Sequence, residues 1–570
     1  MWVGAAVARS ILWAHMAAAQ AGVCMPGDSL PPPSSDPRLS QVRAEMTAPL
    51  GTSAIRLVDC AAIAGLAEPD TITRAPVWTD YDNDGDLDLI FGNIWTPNHV
   101  YRNNGDLTFT NVSDSIGINQ AIGMVTQGIA VADYDNDGDP DIYFADGAAA
   151  RQEANFLYRN DVSTTGRFTD VSVESGTGGI GLPELYAKTF TAIWLDFDQD
   201  GWLDLFVHKA YTPSSLFRNR GNGTFEDVAI ARGINVLDAT NGVCAADFDN
   251  DGWVDLFVPV WPLANPSAPA YNYLFHNDGH GHFTDVAAAA GVQLPNYAFS
   301  CSVEDFNNDG WLDLFVMTWR RPGEIREESK LYVNNRDGTF TDQAVAAGVN
   351  ISTNSMGLQT GDLDNDGFPE IFIGRGDPNN VGENSLFHNE SDRASGAVRF
   401  TDISVDSGIR SVTLLRTHGT TMADFDGDGD LDLFIGNGGA FAEQVEPKFL
   451  FENVSVLTPP WLKLKLRGLV SNRDAIGARV AVETSTGTMF KMVSGGNGFN
   501  TRNDLELLVG LGAAPDAKRV VVLWPSGILQ IVDPPTPRTR TEVRETGIVA
   551  PDRAALGEKE IGRASCRERV

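Results

Sequence analysis

Seven times along this chain of 570 residues, four side chains, nearly all Asp, recur at positions 1, 3, 5 and 9 of a nine-residue segment with glycine at position 6. They are Asp80, Asp82, Asp84 and Asp88; Asp133, Asp135, Asp137 and Asp141; Asp196, Asp198, Asp200 and Asp204; Asp247, Asp249, Asp251 and Asp255; Asp305, Asn307, Asp309 and Asp313; Asp362, Asp364, Asp366 and Glu370; and Asp424, Asp426, Asp428 and Asp432. If the chain turns at the glycine, these carboxylates and the carbonyl of position 7 converge on one point. Four like charges there repel unless a cation fills the gap. Hard oxygen donors, with no His or Cys inside the segment, select calcium over zinc or copper, and magnesium demands a tighter octahedral shell. About seven calcium sites are expected. They are expected to be structural, because coordination saturated by protein leaves no open position for a reacting water. Calcium should be weakest at the fifth segment, where Asn307 removes a charge, and at the sixth, where the longer Glu370 either reaches the metal bidentately or misses it.

The opening D-x-D-x-D-G resembles an EF-hand loop, but its last acid comes three places sooner and no helices flank it. The elements that hold it are strands. A short apolar run precedes each segment, such as Gly128–Ala132, and a strand of the LDLF type follows, as at Leu203–Phe206. A third phrase, LYRN or LFHN, and a Gly- or Asn-rich turn lead to a fourth, FTDV, as at 168–171 and 283–286. Segment starts lie 53, 63, 51, 58, 57 and 62 residues apart, which leaves room for four short strands and no long helix. Such a sheet cannot bury both faces alone; seven arranged radially can, in a β-propeller. The seventh unit lacks FTDV, and an orphan phrase of that kind, IRLVDCAAIAGL, stands at 55–66. Ile55–Asp59 is therefore predicted to supply the outer strand of the last blade and close the ring over residues 55–455.

The formal net charge is −34, from 76 acidic and 42 basic residues, which excludes a nucleic-acid partner. No apolar run is long enough for a transmembrane helix. Residues 1–24 end in an A-x-A-like stretch and read as an export signal, an unstructured leader being the alternative; 25–54 read as a linker. The expected location is secreted, periplasmic or at the cell surface. Five cysteines are too few for a disulfide scaffold. Cys244 and Cys301 precede consecutive acidic segments by three and four residues. That offset turns them to opposite faces of their strands, so both are expected as small buried hydrophobes. Residues 534–570 are expected to be a disordered tail, and EIGRASCRERV at 560–570 resembles a translated sequencing adapter.

The seven units resemble FG-GAP/VCBS repeats, the calcium-bearing blades of the integrin α-subunit head. Seven such units followed by NRDAIGARV at 472–480, SGGNGFNTRND at 494–504, LLVGLG at 507–512 and VVLWPSGILQ at 521–530 resemble the cartilage acidic protein (ASPIC/UnbV) family. The resemblance implies an all-β chain: a seven-bladed propeller, then a small C-terminal β-sandwich or barrel over 461–533. The run WLKLKLRG alternates, and ARVAVET and RVVVLWP are β-rich, in keeping with about six strands. The glycines at 495–498 are followed by no G-K-[ST], so they are expected to make a tight turn rather than a P-loop.

In integrin-like blades the connections after the second strand emerge on the face away from the acidic segments. Here they carry Trp95, Tyr211, Trp261 and Trp319, with Arg320 and Arg321 beside the last. One reading is a ligand site that stacks a glycan or anchors a protein partner; the other is that these aromatics pin down their own loops. Trp202, Trp253 and Trp311, at position 7 of their segments, are expected to cap the hairpins. His276, His280 and His282 are expected at a solvated hairpin tip. The leading function is a non-enzymatic binding or adhesion scaffold. The alternative, a polysaccharide lyase or hydrolase, would need a catalytic cluster, and no G-x-S-x-G, H-E-x-x-H or paired acids occur outside the acidic segments.

Overall fold

The computed structural model describes most of residues 55–546; stretches such as 68–70, 119–124, 148–154, 179–187, 262–270 and 319–327, with a few shorter ones, lie outside the description. Each blade is one antiparallel sheet, and in blades 1–6 the four principal strands pair in chain order, as in Lys188–Leu195, Asp204–Ala210, Ser215–Asn219 and Phe225–Asp227 of blade 3. Burial falls along that order. The first two strands of a blade are almost wholly buried, while the fourth shows one residue in and two out, as in Phe283–Asp285. First strands of neighbouring blades lie against one another around the axis. Apolar clusters fill the spaces between blades, each drawing on two neighbours. Helices in the described blades are single turns, mostly after the fourth strand, such as Ala287–Ala290, with Val162–Thr165 between the third and fourth strands of blade 2.

The ring closes as the orphan phrase requires. Leu57–Asp59 pairs antiparallel with Phe449–Asn453 and completes blade 7 from the N-terminal side. This covers an edge that would otherwise offer unpaired backbone groups.

Cys244 and Cys301 are joined in a disulfide, which corrects their assignment as separate buried hydrophobes. They do face opposite sides of their own sheets. In a propeller, however, one side of a blade packs on the opposite side of the next, so both enter the core shared by blades 4 and 5. Cys60 is disulfide-bonded as well. Such bonds persist in oxidising compartments.

Side-chain clips join the blades near the acidic loops. The asparagine ending each third strand donates from its amide to two carbonyls, one at position 8 of its own loop and one at position 2 of the preceding blade's loop. Asn219 reaches Leu203 at 3.0 Å and Tyr134 at 2.9 Å, and Asn103 of blade 1 reaches Phe425 of blade 7 at 3.3 Å. The same pattern holds at Asn160, Asn277, Asn334, Asn389 and Asn453. A second clip starts at loop position 4, where positive φ aims the side chain sideways. Asn83, Asn136, Gln199, Asn250, Asn308 and Asn365 each donate to the position-6 glycine carbonyl of the next blade. Gly427 has no side chain to offer, so the junction from blade 7 to blade 1 lacks this clip.

The C-terminal module is a two-sheet sandwich of seven strands. Trp461–Arg467 lies between Leu507–Gly510 and Thr539–Arg544, while Arg479–Thr484, Thr488–Met492, Ala517–Leu523 and Leu529–Val532 form the second sheet. Thr539–Arg544 corrects the expected disordered tail. It runs parallel to Trp461–Arg467 and buries Val543. One apolar residue among charged ones hid that edge strand.

The module sits on the acidic-loop face and inserts the described residues of 494–504 among the first strands. A β-carbon on Gly495 would stand 1.9 Å from the Trp194 carbonyl oxygen, and one on Gly498 2.3 Å from that of Leu358. The Gly498 amide donates to the Cys301 carbonyl, Thr501 Oγ1 to that of Thr420, and Asn503 Nδ2 to that of Thr360. The stretch expected as a tight turn is part of a plug whose described residues are held against blades 3, 5, 6 and 7, and Gly495 and Gly498 permit that close approach.

Two stability outcomes follow. Asn219→Ala leaves two buried carbonyls without donors and is expected to cost about 2–4 kcal/mol in chemical denaturation; a change under about 0.5 kcal/mol would show that the blades do not depend on the clip. Replacing Cys244 and Cys301 together by Ala opens a link between residues 57 apart. It is expected to cost about 2–4 kcal/mol, and an unmoved denaturation midpoint would refute that.

Candidate metal centres

Each acidic segment is the hairpin joining the first and second strands of its blade, and all seven adopt one geometry. The position-1 carboxylate accepts from the position-6 glycine amide, at 3.2 Å for Asp196 and Gly201 and 2.7 Å for Asp305 and Gly310. The position-5 carboxylate accepts from the position-7 amide, as Asp200 does from Trp202 at 3.0 Å. The position-9 carboxylate accepts two amides, from loop position 2 and from the third-strand asparagine. Asp204 takes Phe197 at 3.2 Å and Asn219 at 2.8 Å. Glu370 accepts the equivalent pair, Leu363 at 2.7 Å and Asn389 at 3.2 Å, so the extra methylene leaves it inside the loop. The bonds pin these carboxylates and leave lone pairs facing inward.

Burial makes the inward face costly for negative charge. Position 9 is sealed in every loop. Desolvation pushes Asp88 up to about 8 and Asp141, Asp204, Asp313, Glu370 and Asp432 well above the carboxylate range. Desolvation, with repulsion from neighbouring acids, lifts Asp133 to about 8 and Asp196 to about 7. Carboxylate oxygens of Asp80, Asp82, Asp135, Asp198, Asp362 and Asp426 are buried without a hydrogen-bond donor. In loops 1, 2 and 3, the acids of positions 1, 3 and 9 bring ligand atoms within 4.8 Å of one another. A cluster of hard, converging, donor-starved oxygens fits a calcium ion.

In blades 3, 4 and 6 the third-strand residue before the asparagine leans over its own loop, a feature carried in the repeated phrases. Arg218 of blade 3 places Nε 2.6 Å from Asp198 and a terminal nitrogen 2.6 Å from Asp200. In blade 4 that residue is His276, whose Nδ1 is 3.2 Å from Asp255 and 3.3 Å from Asp249. This corrects its expected place at a solvated tip; His280 and His282 alone are exposed there. His388 of blade 6 stands 3.0 Å from Asp364. Trp202 and Trp253 cover the glycines of their own third-to-fourth-strand turns, Gly221 and Gly279.

The module supplies further partners that no repeat announces. Lys463 reaches Asp424 at 2.8 Å, Arg473 reaches Asp133 at 3.5 Å, and Arg479 reaches Asp247 at 3.5 Å. Asp474 accepts the Asp133 amide at 2.8 Å, and Trp461 lies against Gly429. The acidic-loop face is thus an interface within the molecule.

On the opposite face the structure separates the aromatics. Trp95 is 42% exposed with φ of 68°, whereas Trp261 bridges to Ala239 and packs 6.1 Å from Phe299 and 6.3 Å from Phe190. Tyr211, Trp319 and Arg320 lie outside the described residues.

Known proteins match both parts. Residues 80–144, 196–258, 263–316 and 323–373 match the FG-GAP-like repeat, and residues 468–549 match ASPIC and UnbV. Cartilage acidic protein 1 of Mus musculus is 26% identical over 488 residues, 81% of this chain and 72% of its own; the Homo sapiens protein is 26% identical over 81% and 70%. Among solved structures, BBS1N in complex with ARL6DN aligns over 70% of this chain and 95% of its own, at 10% identity and a TM-score of 0.40. The chain is an FG-GAP repeat protein with an ASPIC and UnbV module, homologous to cartilage acidic protein 1.

Proposed function

We propose that this chain is an exported, calcium-bound propeller scaffold that binds a glycan or protein partner through the face opposite its acidic loops. The observation that carries the reading is the division of the two faces. One face is occupied by the module's sandwich and plug. Connections on the other leave Trp95 of blade 1, Leu414 between blades 6 and 7, and Phe441 of blade 7 at 42%, 51% and 55% exposure. Gathered into one contiguous patch, exposed apolar groups would mark a recognition surface. The disulfides support export.

Calcium in this account is a structural cation. At millimolar calcium and a Kd of ~10⁻⁴ M, one site adds about 1.4 kcal/mol, and seven add about 10 kcal/mol. Loops 1–7 would hold the ions through positions 1, 3, 5 and 9 and the position-7 carbonyl.

The pH dependence tests this directly. In metal-free protein the raised carboxylates bind protons more tightly folded than unfolded. Their stabilising contribution is complete below the unfolded value of 3.8 and is lost as pH rises toward about 8. With chelator the protein is expected to melt higher at pH 5 than at pH 8. Calcium should raise the pH 8 melting point most. Equal melting points with chelator and with calcium at pH 8 would refute the structural ion.

The binding face has its own test. Trp95→Ala is expected to leave the melting curve unchanged and to abolish hits on a glycan array or a screen of extracellular proteins. Trp261→Ala is expected to lower stability by about 2–4 kcal/mol through lost packing. Retained binding in the Trp95 variant would move recognition elsewhere.

A further inference from the structure

The sixth loop departs from its siblings in two ways at once. It carries Glu370 in place of Asp at position 9, and its third strand brings His388 over the loop. Asp364, Glu370 and His388 each offer a ligand atom, and those atoms lie within 4.8 Å of one another. His388 Nε2 is 3.0 Å from Asp364 Oδ2. Asp362, at position 1 of the same loop and only 2% exposed, has a buried oxygen that meets no hydrogen-bond donor.

This is a different donor set from the all-oxygen loops. Blades 1, 2 and 3 place Arg102, Arg159 and Arg218 at the His388 position, and a guanidinium cannot ligate a metal. A neutral imidazole can, and it favours zinc, cobalt or copper over calcium. Ligand atoms about 2.0–2.1 Å from one tetrahedral ion stand about 3.3 Å apart, close to the observed His388–Asp364 separation. One imidazole nitrogen with oxygens from Asp364 and Glu370 is a three-donor core of that kind.

We propose that the sixth loop is a mixed nitrogen and oxygen site that takes a transition-metal dication such as Zn²⁺, while its Asp-only siblings take calcium. The proposal rests on the reading of the loops as cation sites and deepens it. Blade 4 has a more open counterpart in Asp249, Asp251 and His276. There Asp251 is exposed and Asp249 only half-buried, whereas Asp364 and Glu370 are both buried, so the tighter site is assigned to blade 6.

The test titrates Co²⁺, as a visible stand-in for Zn²⁺, into the full chain held in excess calcium. The expected result is a d–d absorption band that saturates at one tight equivalent and is bleached by Zn²⁺. His388→Arg, which restores the residue type of blades 1–3, should weaken that equivalent by at least tenfold. His276→Arg should leave it intact. The calcium-loaded melting curve checks that each variant is folded, and Glu370→Gln provides a second probe if the Arg variant melts early. Tight Co²⁺ binding that persists in H388R, or is lost in H276R instead, overturns the assignment. Absence of tight Co²⁺ binding overturns it too. If calcium still raises the melting point in that case, the calcium reading survives alone; if calcium also has no effect, both fall.

Discussion

The structure turns on one electrostatic constraint: carboxylates converge at each of seven loops, and the last acid of each is sealed from water. Hydrogen bonds from the position-6 glycine, the position-7 amide, the position-2 amide and the third-strand asparagine hold these acids in place without neutralising them. Such a cluster stays ionised near neutral pH only with positive charge inside it. The fold supplies some from Arg218 and His276, and some from Lys463, Arg473 and Arg479 of the module. The inward lone pairs remain for a cation. The asparagine that donates to position 9 also clips adjacent blades, so loop geometry and ring geometry are coupled through one side chain.

The same constraint explains why the module docks where it does. A face carrying seven acidic loops attracts a domain that presents Lys and Arg. The plug at 494–504 then converts attraction into fit, because Gly495 and Gly498 let its backbone approach carbonyls of the first strands. The seam between blades 7 and 1, where Gly427 leaves the second clip unmade, lies beside the place where Trp461 and Lys463 press on blade 7. Closure of the ring thus draws on both ends of the chain: Leu57–Asp59 completes the outer edge of blade 7, and the module lies over its loop.

Blade count, strand order, ring closure and the loops were legible because each is written locally and seven times over. An orphan FTDV-like phrase at one end and a missing one at the other can mean little else. What escaped reading depends on contacts between repeats. Cys244 and Cys301 face opposite sides of their sheets, as their offset requires, yet meet because successive blades stack front to back. The strand Thr539–Arg544 has a single buried apolar residue and is recognisable only beside its partner. The glycines of the plug look like any turn until the walls around them are known. His276 and His388 were legible in register, since they occupy the arginine position of LYRN, but His276 was grouped with its histidine neighbours in sequence.

The central claim is that the loops are cation sites built into the fold, and native mass spectrometry of the intact chain tests it most directly. In calcium the account predicts a resolved series of bound ions approaching seven, lost together with compact charge states on chelation. A chain that stays compact with no bound cation, its loops balanced by its own basic residues alone, would contradict it.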